Sequence, residues 1–349
     1  MREPNSADSA KFMARKHITP AEATLFDWAL LALIVAFGGS SFAFIRKAVE
    51  TAPPSVVAAG RLWVAAVLVY ILMRAAGRRL PPFFIRSGTK WRVRRSWWWM
   101  IGVGASGNVL PFYLFPWAQQ HVESGLAGVY MAFMPIWTLA LAYFFAGENL
   151  TARKLGGFAL GFIGVLILMG PEALKGVMTS SFLAQAGLLL ATFLYGVSAV
   201  LSRRAPPIRP RVFASGMLIV AAFMAIPALF FTDLHREEWS AASLMSIVFL
   251  GVFPTGLNGV LIIMLIRRAG AGFMALSNYI TPLWAVGLGA VIYHERLDWN
   301  VLAALAIILA GVAVSQRSPF SKKQKGVSAA GDGLAGELEP MVERTEEVR

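Results

Sequence analysis

Cysteine is absent from the chain, which excludes disulfides, a thiolate-held zinc and a thiol nucleophile. Histidine is scarce. The four present, His17, His121, His235 and His294, fall at the edges of apolar runs or in tails. Neither a His-Glu-x-x-His pair nor a Gly-x-Ser-x-Gly elbow occurs, so hydrolytic chemistry has no carrier. A phosphate loop of the Gly-x4-Gly-Lys-Ser/Thr kind is missing, which excludes ATP drive within the chain. Charge is thin as well: Asp, Glu, Lys and Arg make up 15% of residues, against roughly 25% in an average soluble domain. No Asp or Glu sits deep in an apolar run, which argues against proton coupling through a buried carboxylate and for uniport or exchange. These absences leave no visible enzyme and no cofactor or metal requirement.

What the chain has in excess is apolar surface. Hydrophobic residues are 57% of its 349 and the mean hydropathy is +0.62. A soluble globule of that composition would expose large patches and aggregate, so lipid is the fitting solvent. A span needs about 20 apolar residues, and spans are expected near 27–46, 54–74, 97–119, 124–146, 153–170, 182–202, 212–231, 241–266, 270–292 and 299–316. The first run is too long for the core of a secretion signal, and no Ala-x-Ala cleavage site follows it, so it reads as a retained helix. Trp28, Trp97, Trp98, Trp99, Trp239 and Trp299 lie at the expected ends, where indoles favour the headgroup level.

The net charge of +13 is distributed as a topology signal and not as a nucleic-acid stripe. With the N-terminus in the cytoplasm, the inner segments carry 24 Lys and Arg, eight of them between Arg74 and Arg95, and the outer loops carry five. That split follows the positive-inside rule and places both termini in the cytoplasm. Residues 1–26 are expected as an N-terminal tail and 318–349 as a polar, disordered C-terminal tail.

Shifting the chain against itself by 147 positions superimposes Pro135 on Pro282, Trp137 on Trp284, Glu148 on Glu295, and Gly164-Val165 on Gly311-Val312. At an offset of 149, Gly102-Val103 with Ser106-Gly107 meets Gly251-Val252 with Thr255-Gly256. Two units follow, 27–170 and 182–316. Each has five spans, an odd number, so the second must lie inverted in the membrane. The expected fold is an all-α membrane protein of ten transmembrane helices, two inverted five-helix repeats around a central cavity. That design lets a transporter open to either side.

The segments Gly38–Arg46, Ala59–Leu62, Tyr130–Glu148 ending Ala-Gly-Glu-Asn-Leu, Leu250–Phe253, Ile266–Ala271, and Pro282–Trp284 with His294–Leu297 resemble the drug/metabolite transporter superfamily, EamA type. The similarity spans about residues 25–316. The resemblance implies a ten-helix basket in the cell (inner) membrane and export of amino acids or related metabolites.

Candidate site residues follow from the cost of polar groups in lipid. Arg61 is the one charge well inside a span, either a bidentate carboxylate clamp or a structural, snorkelling side chain. Pro135 and Pro282 cannot bond the carbonyls of Met131 and Asn278, which exposes acceptors beside Tyr130, Asn278 and Tyr279 or simply kinks the helices. Asn108 and Asn258 need partners, from solute or from another helix. Tyr113, Trp117 and Tyr195 are candidates for an aromatic wall or for ordinary packing. Gly164 and Gly311 lie in small-residue stripes that pack helices closely, within a monomer or across a homodimer. Glu148 and Glu295 are read as holding loops at helix ends. The partners expected are a small-molecule solute and the bilayer, with no nucleic acid. A membrane enzyme acting on lipid, or a pore, is the alternative.

Overall fold

A computed structural model describes residues 23–87, 90–146, 151–169, 180–233, 238–296 and 298–316. Glu148 and the terminal segments 1–22 and 318–349 lie outside the described residues.

The chain opens with α1 (Leu25–Ala48). Thr24 and Asp27 form a capping box: the Asp27 N–H donates to Thr24 Oγ1 and the Thr24 N–H returns to Asp27 Oδ2, satisfying donors that a helix start leaves free. Helix α2 (Pro54–Ala75) begins with proline at its first position, where the missing N–H costs nothing. Gly77, at φ 68°, ends it: the Gly77 N–H reaches Arg74 O and the Arg78 N–H reaches Met73 O, the paired bonds of a left-handed helix cap.

The basic stretch that follows is not a plain loop. Strands β1 (Phe84–Ser87) and β2 (Lys90–Val93) form an antiparallel hairpin, pairing Phe84 with Val93 and Arg86 with Trp91. Next come α3 (Arg95–Gly104), a π-helical turn at Ala105–Val109, and α4 (Leu110–Ala118). Then follow α5 (Ser124–Met131), α6 (Met134–Ala146) and α7 (Ala152–Met169).

The second half begins with α8 (Ser180–Arg204) and α9 (Pro210–Phe230), then α10 (Ala241–Leu250), capped by Ser240. A second π-helical stretch, Gly251–Leu257, leads into α11 (Asn258–Met274). Gly270, at φ 88° and ψ 164°, interrupts α11, a conformation reserved for glycine. The described chain ends with α12 (Ser277–Tyr293) and α13 (Trp299–Gln316).

The fold is that of a helical membrane protein. Among the described residues, six helical stretches are long and apolar enough to cross a bilayer: Leu25–Ala48, Pro54–Ala75, Ser124–Phe145, Ser180–Arg204, Pro210–Phe230 and Ala241–Gly270. The other expected spans fall on α3 with α4, on α7, on α12 and on α13, which are interrupted or shorter. Large side chains such as Phe144, Phe230, Met245 and Val291 face outward, as lipid-facing surface does. Inside, α9 packs on α2, α8 on α6, and α12 on both α1 and α5. The central core gathers Tyr130, Phe133, Ile136, Leu188 and Leu250.

Small residues set the closest crossings. A Cβ at Gly311 would stand 2.7 Å from the Gly157 carbonyl, and one at Gly164 would stand 2.6 Å from Ile308. The glycine stripes of α7 and α13 therefore face each other within one chain. The two proline-linked breaks differ. Pro135 sits just after the 132–133 turn that separates α5 from α6, whereas Pro282 lies inside α12, several residues beyond the 275–276 turn.

Candidate functional site: a central polar cavity

The two π-helical stretches create the site. Pro254 lacks an N–H and cannot bond the Leu250 carbonyl four residues back. The Thr255 hydroxyl takes that carbonyl at 2.8 Å. Having donated its only proton, Thr255 Oγ1 accepts from Arg61 Nε at 2.7 Å. On the π-helical turn at Ala105–Val109, the Ser106 hydroxyl donates to Gly102 O at 2.7 Å. An added residue per turn widens a helix and re-aims its side chains, and such bulges recur at functional sites.

Around this point lies a cavity of about 400 Å³. Arg61, Asn108, Tyr195, Asn258 and Asn278 all line it, so five of the residues singled out by sequence meet in one place. Arg61 is 6% exposed, and its guanidinium carbon sits 3.8 Å from the Phe112 ring centroid, a cation–π contact that holds the charge in the wall. Among the described lining residues there is no carboxylate. Arg61 keeps its proton, so the cavity carries one positive charge. Asn258 is 8% exposed, and its Oδ1 is buried with no hydrogen-bond partner. Met131, one of the two residues whose carbonyls proline was expected to free, lines the cavity as well, as Asn278 does, along with Pro282 itself.

Four singled-out residues are placed elsewhere. Tyr130 is fully buried, and its hydroxyl donates to Gln185 Oε1 at 2.8 Å, between α5 and α8. Tyr279 packs, half-buried, against the central core. Trp117 lies against Gly187, edge-on to His121. Tyr113 is 41% exposed on α4.

Thr255, Ser41, Ser277 and Thr281 line the cavity and were not singled out. Thr255 left a signal, a hydroxyl directly after a proline whose orphaned carbonyl it serves. Ser277 and Thr281 stand directly before Asn278 and Pro282, two residues the sequence did mark, and Ser41 follows a Gly-Gly-Ser run.

A second cavity of about 400 Å³ shares Asn108, Thr255 and Gly259 with the first and runs past Met73, Ala76 and Arg211. The two adjoin through these residues, and the second lies toward the end where α2 finishes and α9 starts. The opposite end is crossed by a set of hydrogen bonds. The Glu295 carboxylate accepts from the Ser124 N–H at 2.8 Å, the Ser124 hydroxyl at 2.6 Å and the Gly125 N–H at 2.8 Å, capping α5 from across the molecule. Arg46 Nη1 donates to the carbonyls of Gln119 and Val122, the Tyr293 hydroxyl to Ala43 O, and Thr51 to Ser243.

A largely apolar cavity that carries one buried cation and several amide and hydroxyl side chains, enclosed by helices with apolar outer faces, is what a membrane transporter requires. Residues 27–170 and 183–316 each match the EamA-like transporter family, and the chain belongs to it. The inner membrane transporter YedA of Escherichia coli strain K12 is 26% identical over 292 residues, covering 82% of this chain and 89% of that protein. A probable terminal-alkyne amino-acid exporter of Streptantibioticus cattleyicolor is 24% identical over 300 residues, covering 85% and 95%. A solved crystal structure superposes with a TM-score of 0.57 at 17% identity, over 84% of this chain and 97% of its own; that likeness is one of fold. The protein is a transporter of the drug/metabolite type, and its relatives are named as transporters, not as enzymes.

Proposed function

We propose that the protein exports amino acids or closely related small metabolites by alternating access. In this reading two five-helix halves lie inverted in the cell (inner) membrane, ten spans in all, with both termini in the cytoplasm and the solute bound in the central cavity.

The observation that carries the reading is the pairing of unlike groups in one wall. Arg61 offers a fixed cation and Asn258 Oδ1 an unpartnered acceptor, which suits a carboxylate and an ammonium on the same small molecule. Phe42, Phe112, Phe115 and Tyr195 supply apolar contact for its side chain. The recurrence of a π-helical turn at 105–109 and 251–257 supports two related halves, as does the matching of each half to one family. The hydrogen bonds at Glu295 and the second cavity beside Arg211 support a state open to the arginine-rich end, which the positive-inside rule makes the cytoplasm. Among the described cavity residues none is Asp, Glu or His, which favours uniport or exchange over proton coupling through the cavity. The facing of Gly164 and Gly311 stripes within one chain supports action as a monomer.

The test is counterflow in proteoliposomes loaded with unlabelled amino acids, with and without a pH gradient. Saturable exchange of labelled amino acid that ignores the gradient is the expected result. Linear, non-saturable flux would mark a pore, and gradient-driven accumulation would overturn the coupling assignment.

A further inference from the structure

Away from the central cavity, four arginines surround a separate pocket of about 440 Å³. Arg78 and Arg79 arrive there from the left-handed cap at Gly77 that turns the chain after α2. Arg94 stands at the start of α3, and Arg209 comes from the connection before α9. In sequence the arginines have no nearby counter-charge: no Asp or Glu occurs between Glu50 and Glu123, nor between Glu172 and Asp233. Among the described residues no carboxylate pairs with any of the four.

The start of α3 sharpens the point. Its N-cap is Arg94 with no side-chain cap, and its first turn holds no acidic residue. Cations stand where the helix dipole disfavours them and where free N–H groups call for an anion. Ser96, in that same turn, lines the pocket and is 8% exposed, and its hydroxyl makes no hydrogen bond. An orphaned hydroxyl, an uncapped helix start and four arginines from three separate segments describe one missing partner.

We propose that this pocket binds a phosphate group, held by Arg78, Arg79, Arg94 and Arg209 with the Ser96 hydroxyl and the α3 amides completing its oxygen contacts. The surroundings favour a phospholipid headgroup as the source. Phe84, Trp91 and Trp98 are 55%, 70% and 62% exposed on the adjoining hairpin and helix start. Aromatic residues beside a basic cluster are what the lipid–water boundary selects. That the leaflet is the cytoplasmic one rests on the topology proposed above; the site itself does not.

The test uses the purified, delipidated full-length protein in neutral detergent. Thermal melting is followed against dihexanoyl phosphatidylglycerol, dihexanoyl phosphatidylcholine and inorganic phosphate. Phosphatidylglycerol is expected to raise the melting temperature and phosphatidylcholine to leave it unchanged. At about fivefold per arginine, the double variant R94Q/R209Q should need about 30-fold more phosphatidylglycerol for the same shift, and R94K/R209K should recover most of it. An equal shift with inorganic phosphate would support the phosphate site and assign it to a free anion. No shift with either, or a shift that R94Q/R209Q leaves intact, overturns the proposal. Should that variant fail to fold, a salt titration of the unaltered protein decides: binding that weakens severalfold from 50 to 500 mM salt supports the site, and salt-independent binding overturns it.

Discussion

Arg61 and Asn258 pose opposite problems for the same wall, and that difference separates function from packing. Arg61 is partly satisfied by Thr255 and Phe112, yet its terminal nitrogens have no protein acceptor among the described residues. Arg61→Lys keeps the charge and loses the planar fork. A charged hydrogen bond contributes about 1.5–3 kcal/mol, so KM for amino acids should rise about 10- to 100-fold while that for decarboxylated amine analogues changes little, measured by counterflow. An equal rise for both would return Arg61 to a structural role. Asn258 Oδ1 is buried without a partner, a condition that costs about 1–3 kcal/mol. Asn258→Leu removes that cost at similar volume, so melting temperature should hold or rise while transport falls. A loss of stability in step with transport would make Asn258 a packing residue. Both positions were legible in the sequence because a charge or amide in an apolar run is expensive. Which tyrosines join them was not, because Tyr130 and Tyr279 differ from their cavity neighbours only by the helical face they occupy.

The helices show where the sequence carried its own geometry and where it did not. Hydropathy located the six helical stretches among the described residues that are long and apolar enough to cross a bilayer, since burial in lipid writes long apolar runs. It could not foresee the π-helical turns, one of which holds Pro254 while the other holds no proline, nor the hairpin between α2 and α3, whose basic and aromatic residues read as loop. Symmetric prolines did not give symmetric breaks: Pro135 opens α6, while Pro282 is absorbed within α12. Glycine spacing marked α7 and α13 for close approach but left open whether the partner was the same chain. The answer yields a paired prediction. A Cβ at Gly311 would lie 2.7 Å from Gly157 O and 2.9 Å from Gly161 N, backbone atoms that cannot rotate aside, whereas Gly156 has open space around its Cβ position. Gly311→Ala should cost about 1–3 kcal/mol and lower the melting temperature, with transport per folded molecule retained. Gly156→Ala should be neutral or stabilising by up to about 1 kcal/mol. Equal effects in the two variants would mean that α7 and α13 do not pack as described.

At the scale of the whole molecule, alternating access as proposed requires one end to be held closed. Residues from both halves meet there, and the Glu295 carboxylate takes three donors from the start of α5. Glutamine at this position has one acceptor oxygen and no charge, so Glu295→Gln should favour opening by about 1.5–3 kcal/mol, roughly a 10- to 100-fold change in the ratio of states. The absence of native cysteine makes the measurement direct. Ser41→Cys puts a single thiol in the cavity wall, and an impermeant maleimide then reports the side from which it can be reached. With Glu295 intact, labelling should come from the arginine-rich end; with glutamine, labelling from the Glu295 end should rise at least severalfold. Unchanged sidedness would show that the cap is not the tie. The same end should respond to pH. Glu123 is held above the ordinary carboxylate range by burial and by the charges of Glu295 and Asp298, against the pull of Arg46. Opening exposes it and returns it toward the ordinary value near 4.3. The closed form therefore binds the proton more tightly, and acidification toward that value favours closure, while the advantage is lost as pH rises through the raised value. The ratio of labelling from the Glu295 end to labelling from the arginine-rich end, which cancels the pH dependence of the thiol itself, should grow as pH rises from the ordinary carboxylate value through the raised one, and Glu123→Gln should flatten that ratio; a ratio profile that survives the substitution would assign the titration to another group.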